Sequence, residues 1–559
     1  MAAKITRRRA LLGASAAMIY PVARGGQQAP SGESEQPAKV FAHGVASGDP
    51  DESSVIIWTR ISAAKKPVSC RWLVATDDSF LNIVASGIKQ ANKKSDYTVK
   101  VLVSGLAPGQ TYYYKFEAPE EISATGRTRT LPVGHLDNLT LAVATCSNYP
   151  FGYFNAYDAI ARDENIDLVL HLGDYIYEYG VDSYGGDTGR TIGRSHEPAH
   201  EIVSLADYRQ RHAQYKSDPA SMAMHAQHPL IVIWDDHESA NNPWMGGAQN
   251  HQNDEGSWSK RRAVSLQAYY EWLPIRDPGK QENQAEYWRH YKFGDLASII
   301  TLESRHTGRA KQIEYGDHLD KLKTPEQALK FKQSILANPE RKFLSDRMQN
   351  FLAAELAESV TAKRRWRLIG NQSVMAKSTS PRLDAPFFKQ LAKQLEGGAL
   401  RRLEGLTQLG ELALPGDLDA WDGYPAAREE FYQIAREANA TDLLVLSGDS
   451  HSFWQNQLFD VDNHAMGIEL GSTGISSPRS LLAFGEEGLK RFDQASAADN
   501  KEIVWADGRH RGFIRLKLDH QKVHADYIAV SNVSTPQYTT RVIRSVDIVK
   551  VGETLAFNQ

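Results

Sequence analysis

Five short apolar runs in this chain each lead straight into residues that bind metals or move protons. The run at 139–145 ends in Cys146, Ser147 and Asn148, and the run at 166–172 ends in Gly173 and Asp174, with Tyr177 and Glu178 close behind. The run at 228–234 ends in Asp235, Asp236, His237 and Glu238, with Asn241 and Asn242 beyond. The run at 366–370 leads to Asn371 and Gln372, and the run at 442–448 to Asp449, Ser450 and His451. Runs this short and this apolar read as strands buried on both faces, as in a parallel sheet. Open α/β sheets keep their ligand sites at the carboxyl ends of such strands. A single Gly-Asp there is more often a helix cap than a ligand. Five endings of this kind in one chain point instead to a shared site, so the fold has to bring five strand ends together.

The rest of the chain is organised around that requirement. At 559 residues it is long enough for two domains or one heavily inserted core. From Phe41 to about Pro132 the pattern is all-β: 55–59, 70–75 and 97–103 read as strands. A turn at 106–110 followed by Tyr112, Tyr113 and Tyr114 is similar to the turn and tyrosine strand of fibronectin-type sandwiches. After Pro132 strands alternate with helical stretches, which signals an α/β layer domain. Residues 340–359 carry Phe343, Leu344, Met348, Leu352 and Leu356 at helical spacing, a core-facing amphipathic helix. The charged stretch 305–332 reads as a surface insertion. Beyond His451 the chain returns to strands, at 466–470, 513–518 and 523–528.

Several classes are excluded by composition. The net charge of -4 argues against a dedicated nucleic-acid binder, and no apolar run is long enough for a transmembrane anchor. Two cysteines, Cys70 and Cys146, rule out a disulfide framework and a four-cysteine zinc site. At the amino terminus Arg8-Arg9, followed by Leu11-Leu12 and a short weakly apolar stretch, resembles a twin-arginine signal. A Gly-, Gln-, Ser- and Pro-rich spacer follows it. This predicts export in the folded state through the twin-arginine machinery, to the periplasm or the medium.

The strand-end residues make a distinctive donor set. Cys146 offers a thiolate, Asp174 a carboxylate able to bridge two ions, Tyr177 a phenolate and His451 an imidazole. Phenolate and thiolate are poor ligands for magnesium or calcium and suit trivalent iron. Asp174 and Tyr177 are three residues apart, so a helical turn after Gly173 would point both the same way. Asp236 and Asp449 are hard oxygen donors, better matched to calcium, magnesium or manganese than to zinc. Two close ions acidify water and clamp a phosphoryl group for in-line attack. Ser147 and Ser450 are the alternative nucleophiles, but neither sits in a Gly-x-Ser-x-Gly elbow.

In this order, Cys-x-Asn, Gly-Asp-x-x-Tyr, Asp-Asp-His-Glu, Gly-Asn-Gln and Gly-Asp-x-His, the motifs resemble the metallophosphoesterase superfamily in its alkaline phosphatase D (PhoD-like) branch. The resemblance implies an α/β fold: a metallophosphoesterase-type β-sandwich core flanked by helices, preceded by a small all-β fibronectin-like sandwich domain. The implied boundaries are 1–38 for the signal and spacer, 39–133 for the sandwich domain and 134–559 for the catalytic domain. It implies Fe3+ held by Cys146, Asp174, Tyr177 and His451, and Ca2+ (or Mg2+ or Mn2+) at Asp236 and Asp449, with Asp174 bridging. His237 matches the histidine that contacts phosphate or protonates the leaving group. Asn148, Asn242, Asn371 and Glu238 are outer candidates, and Glu178 is expected to pair with a basic group. The implied activity is hydrolysis of phosphomonoesters and of phosphodiesters by a metal-bound hydroxide. A phosphodiesterase of phospholipase D type and an inert surface-binding protein are the alternatives. Arg194, Arg209, Arg211 and Arg382 are candidates for gripping the phosphate.

Overall fold

The computed structural model describes residues 39–558 apart from 63, 120 and 280–282. The twin-arginine stretch lies outside the described residues. Two sheets pack face to face with helices on both outer sides. The first has ten strands, in spatial order Thr554–Asn558, Thr540–Val551, Lys522–Val530, Arg511–Asp519, Asn138–Ala144, Leu168–His171, Leu230–Val232, Val45–Gly48, Ser54–Arg60 and Thr98–Ser104. The second has seven, in the order His290–Phe293, Ala297–Thr301, Trp366–Gly370, Leu443–Ser447, Ala465–Gly471, Phe453–Phe459 and Ile503–Asp507. The site-bearing strands are the parallel centre of each sheet: Asn138–Ala144, Leu168–His171 and Leu230–Val232 in one, Trp366–Gly370 and Leu443–Ser447 in the other.

The continuous apolar character of these runs follows from that layering. Alternate residues of a strand face opposite sides. Leu141, Val143, Leu168 and Leu170 point between the sheets, where they meet Ile299, Leu368, Leu444 and Leu446. Their neighbours Ala142, Ala144 and Val169 face outward and are covered by Tyr157, Tyr208, Tyr215 and Leu266 from the outer helices. On the far side, Leu443 and Val445 are covered by Met348, Leu352 and Leu356 of the helix Asp346–Thr361 and by Phe431 of Pro425–Glu437. A strand covered on both faces has no polar position, hence no alternation. The helix expected over 340–359 starts at Asp346 because the Ser345 hydroxyl accepts the Met348 N–H and caps it. Phe343 and Leu344 precede it and are buried all the same.

The amino-terminal strands build a small sandwich. Ile83–Ala91, Val68–Ala75, Thr111–Ala118 and Gly126–Arg129 form one face, packed through Val55, Ile57, Val101, Tyr112 and Tyr114 against the other. That other face is not free-standing. Val45–Gly48 runs parallel to Leu230–Val232 at Gly48 and Leu230, and the Asp49 N–H donates to the Leu230 carbonyl at 2.9 Å. The small sandwich thus continues the larger sheet.

One reading of the chain needs correcting. The stretch 305–332 is not all surface: Arg305 and Arg309 are fully buried, with His306 and Gln312 beside them. The reason is a further strand, Ala297–Thr301, which lies between His290–Phe293 and Trp366–Gly370 and carries the chain inward. As the sequence suggests, Cys70 and Cys146 form no disulfide: both are buried and free, Cys70 within Val68–Ala75 and Cys146 just past Asn138–Ala144.

Candidate metal centre

At their carboxyl ends the two sheets come into contact. A Cβ on Gly448 would stand 2.4 Å from Thr145 Oγ1, so only glycine lets the end of Leu443–Ser447 meet the end of Asn138–Ala144. Gly173 has a φ of +102°, and a Cβ there would lie 2.5 Å from Asp235 Cβ and N. It brings the ends of Leu168–His171 and Leu230–Val232 together. Residues at these strand ends take left-handed backbone: Cys146 (φ 58°), Asp174 (58°), Asp449 (61°) and His451 (53°). Such conformations cost on the order of 1 kcal/mol or more each for non-glycine residues and gather where surroundings over-determine them. Backbone hydrogen bonds do so here, from Cys146 N–H to the Gly173 carbonyl (3.1 Å) and from Ser147 N–H to the Asp174 carbonyl (2.9 Å).

Three overlapping groups of donor atoms result, each with its atoms within 4.8 Å of one another: Cys146, Asp174 and His451; Asp174, Asp236 and His237; and Asp235, Asp236 and Asp449. Asp174 belongs to two of them. Tyr177 joins the first: its hydroxyl donates to Asp174 Oδ2 (2.9 Å) and lies 3.3 Å from His451 Nε2. The segment after Gly173 is irregular rather than a helical turn, yet it brings Asp174 and Tyr177 together. His451 Nδ1 faces the Pro478 carbonyl at 2.8 Å, which leaves Nε2 toward the cluster.

His237 is held from three sides. Its Nδ1 meets Glu178 Oε2 at 2.7 Å, its ring stacks on Tyr177 with centroids 4.2 Å apart, and its Nε2 lies 3.8 Å from Asp236 Oδ2. Burial alone would push this imidazole down, but Asp236, Asp174 and Glu178 outweigh it and hold the pKa well above the usual range. Glu178 also accepts from the Asn241 N–H and from Asn250 Nδ2, each at 2.8 Å. Glu238 is structural: its carboxylate accepts the N–H groups of Tyr175 (2.7 Å) and Asp235 (2.9 Å), tying two strand ends together.

The other candidates divide. Asn148 is fully buried and neither of its amide atoms has a hydrogen-bond partner. The Asn242 N–H donates to Asp236 Oδ2 at 2.9 Å. Asn371 turns away: its amide donates to the Ser373 carbonyl and accepts from Trp421 Nε1, so its side chain serves the core. Ser450 accepts from Trp454 Nε1 and Ser147 donates to the carbonyls of Asp174 and Tyr175; neither hydroxyl bonds an imidazole.

Arg305 was missed in the sequence. Its Nε meets Asp235 and its Nη1 meets Asp419, each at 2.5 Å. Its Nη2 lies 3.9 Å from both Asp236 Oδ1 and Asp449 Oδ2 and has no hydrogen-bond partner. The available signal was the run 296–302 ending in Glu303 and Arg305, the same pattern as the other five. Three of the arginines expected to grip phosphate are engaged elsewhere: Arg194 with Asp218, Arg209 with Glu271, and Arg211 with the carbonyls of Tyr177 and Tyr179. Arg382 does not line the cavity over the cluster.

The donor set fits cations. Burial, reinforced by Asp174, pushes the Cys146 thiol and the Tyr177 phenol up, and burial, reinforced by neighbouring carboxylates, does the same to Asp174 and Asp449. Burial pushes His451 down to about 4, keeping its ring a neutral donor. Asp235 Oδ2 and Asp236 Oδ1 are buried without a hydrogen-bond partner. Anionic donors collected at such a density need positive charge beyond what His237 and Arg305 bring. Asp236, His237, Asp449 and His451 open onto a cavity of about 340 Å³. A larger cavity of about 600 Å³, beside Arg509, His510 and Arg541, touches none of them.

The chain resembles known proteins over most of its length. The family model described as PhoD-like phosphatase matches residues 141–527, and that of the PhoD-like phosphatase N-terminal domain matches residues 27–132. The chain is 32% identical over 514 residues to "Alkaline phosphatase D" of Bacillus subtilis (strain 168), covering 89% of this chain and 78% of that protein. A solved structure titled "Structure of PhoD" superposes with a TM-score of 0.75 at 30% identity, covering 94% of both chains. Metal ions are implied by this kinship. The chain belongs to the PhoD-like phosphatase family and is a phosphoric ester hydrolase.

Proposed function

We propose that the protein is an exported, metal-dependent alkaline phosphatase that hydrolyses phosphomonoesters and also accepts phosphodiesters. The observation that carries this reading is the convergence of Cys146, Asp174 and His451 donor atoms within 4.8 Å, sharing Asp174 with Asp236. In this reading Cys146, Asp174, Tyr177 and His451 hold Fe3+, and Asp174, Asp236 and Asp449 hold Ca2+, with Mg2+ or Mn2+ as substitutes. Thiolate and phenolate favour the trivalent ion, and the carboxylates favour the hard divalent one. Ions held there supply positive charge for the phosphoryl oxygens and lower the pKa of water at the site.

The chain's own residues do the rest. Glu178 orients His237 through Nδ1, so Nε2 keeps its proton and presents it toward the cavity, where it protonates the departing alkoxide. Tyr177 fixes the His237 ring plane by stacking. The Asn242 N–H and the Arg305 guanidinium fix Asp236 and Asp235. Asn148 and Asn242 are outer contacts of the site.

Arg8-Arg9 and Leu11-Leu12 support export through the twin-arginine route to the periplasm or the medium. We assign 1–38 to signal and spacer, 39–133 to the small sandwich and 134–559 to the catalytic unit. No helix among the described residues is long and apolar enough to cross a membrane.

The test is hydrolysis of 4-nitrophenyl phosphate at alkaline pH by the wild type, Cys146→Ala and Asp174→Asn. Each variant is expected to lose activity by at least 100-fold together with bound metal. Full activity with full metal content in either variant contradicts the assignment.

A further inference from the structure

The cavity over the cluster contains a cation that the reaction centre does not use. Arg402 sits on the helix Gly397–Glu411 and lines the same cavity as Asp236, His237, Asp449 and His451. It forms no hydrogen bond or ion pair with any described residue. The charges that act on it are Asp417 and Arg479, and none of the donor carboxylates does, so it stands away from them. The other guanidiniums nearby are occupied. Arg479 pairs with Asp493 and lies over the rings of Trp454 (5.6 Å) and Phe492 (4.8 Å), while Arg305 is held by Asp235 and Asp419. Asp417 does not neutralise Arg402 directly; its Oδ1 accepts the Asp419 N–H at 2.9 Å. Arg402 is exposed where it lines the cavity, so its guanidinium is open to an incoming anion.

Leu406, Trp454 and Phe492 complete this part of the wall with apolar surface. At about 340 Å³ the cavity falls within the size range of small-molecule sites and holds more than a phosphoryl group. Resting on the phosphatase reading above, we infer that Arg402 forms an anion subsite for the alcohol half of the substrate. The enzyme then takes phosphate esters whose leaving group carries a second negative charge on an aromatic or apolar frame. The reacting phosphoryl group lies at the donor cluster and the second anion at Arg402.

Two aryl phosphates of matched shape test this: the monophosphate ester of 3-hydroxybenzoate and that of 3-hydroxybenzamide, which differ in one charge. The readout is the ratio of their kcat/KM values for metal-loaded wild type, Arg402→Ala and Arg402→Lys. A charge-assisted contact predicts a wild-type preference for the benzoate of about 10-fold, abolished in Arg402→Ala and kept in part in Arg402→Lys. The preference should also shrink at high ionic strength. Hydrolysis of both esters with the same ratio in wild type and Arg402→Ala overturns the subsite alone. Failure of the wild type to hydrolyse either ester overturns the phosphatase reading with it.

Discussion

Replacing Arg305 with methionine keeps much of the side-chain volume and removes a charge that is entirely buried. Asp235 then loses the partner of its Oδ1, while its Oδ2 already has none. Asp419 keeps Arg309, which meets both its backbone carbonyl and its carboxylate. The loss is therefore dominated by one stranded carboxylate beside Asp236 and Asp449. Removing one partner of a buried pair costs about 3–5 kcal/mol. For a chain of this size the unfolding entropy is about 1 kcal/mol/K, so the thermal midpoint should fall by about 3–5 °C. Differential scanning calorimetry on metal-free protein at pH 8 measures this. Millimolar calcium should restore part of the loss, because Asp235, Asp236 and Asp449 would then share an ion. Arg305→Lys should fall between the two, since an ammonium keeps the charge but not the fork. A midpoint for metal-free Arg305→Met within about 1 °C of wild type would refute the reasoning.

Three other perturbations follow from the same geometry. Gly173→Ala places a Cβ 2.5 Å from Asp235 at a left-handed φ, so it should cost about 1–3 kcal/mol and sharply reduce metal content by elemental analysis. Asp236→Asn and Asp449→Asn each remove one negative charge from the oxygen-rich side of the site. Calcium affinity measured by calorimetry should weaken by at least 10-fold while Cys146-side metal content is retained. Far from the site, Arg367 and Lys550 hold the buried Asp442 below the usual carboxylate range against the opposing effect of burial. A carboxyl depressed in the folded state contributes stability above its unfolded pKa of about 3.9 and loses it as pH falls through the folded value. Asp442→Asn should therefore lower the unfolding free energy from urea titration at pH 6 by about 3 kcal/mol, and the two proteins should begin to converge as pH falls below about 4. Parallel curves down to pH 3 would rule this out.

How much of this was legible in the sequence depended on range. The five strand endings were readable because apolar runs and the residues after them are local, and the fold places four of the five around one point. Tyr177 could be paired with Asp174 from a spacing of three, though the backbone between them is not helical. The run 296–302 marks Arg305 as a strand-end residue, but its buried pairing is not legible, because Asp235 and Asp419 are 70 and 114 residues away. A charged stretch without those partners looks like surface. Asn371 shows the converse: its neighbours in sequence suggested the site, while Ser373 and Trp421 claim its side chain. The strands Ile83–Ala91 and Thr540–Val551 carry no sustained apolar run and are exposed or half-buried over nearly their whole length, so no buried-strand pattern marks them. The joining of the small sandwich to the large sheet rests on the pairing of Gly48 with Leu230, which no local pattern announces.

Tyr177 and Cys146 are the residues that would make one half of the proposed centre an iron site. Elemental analysis of protein purified without added metal, paired with its visible absorption spectrum and that of Tyr177→Phe, tests this directly. The expected result is close to one iron per chain together with a divalent cation, and a visible charge-transfer band that Tyr177→Phe removes or shifts strongly. A colourless protein that carries zinc alone and is fully active as a phosphatase would contradict it.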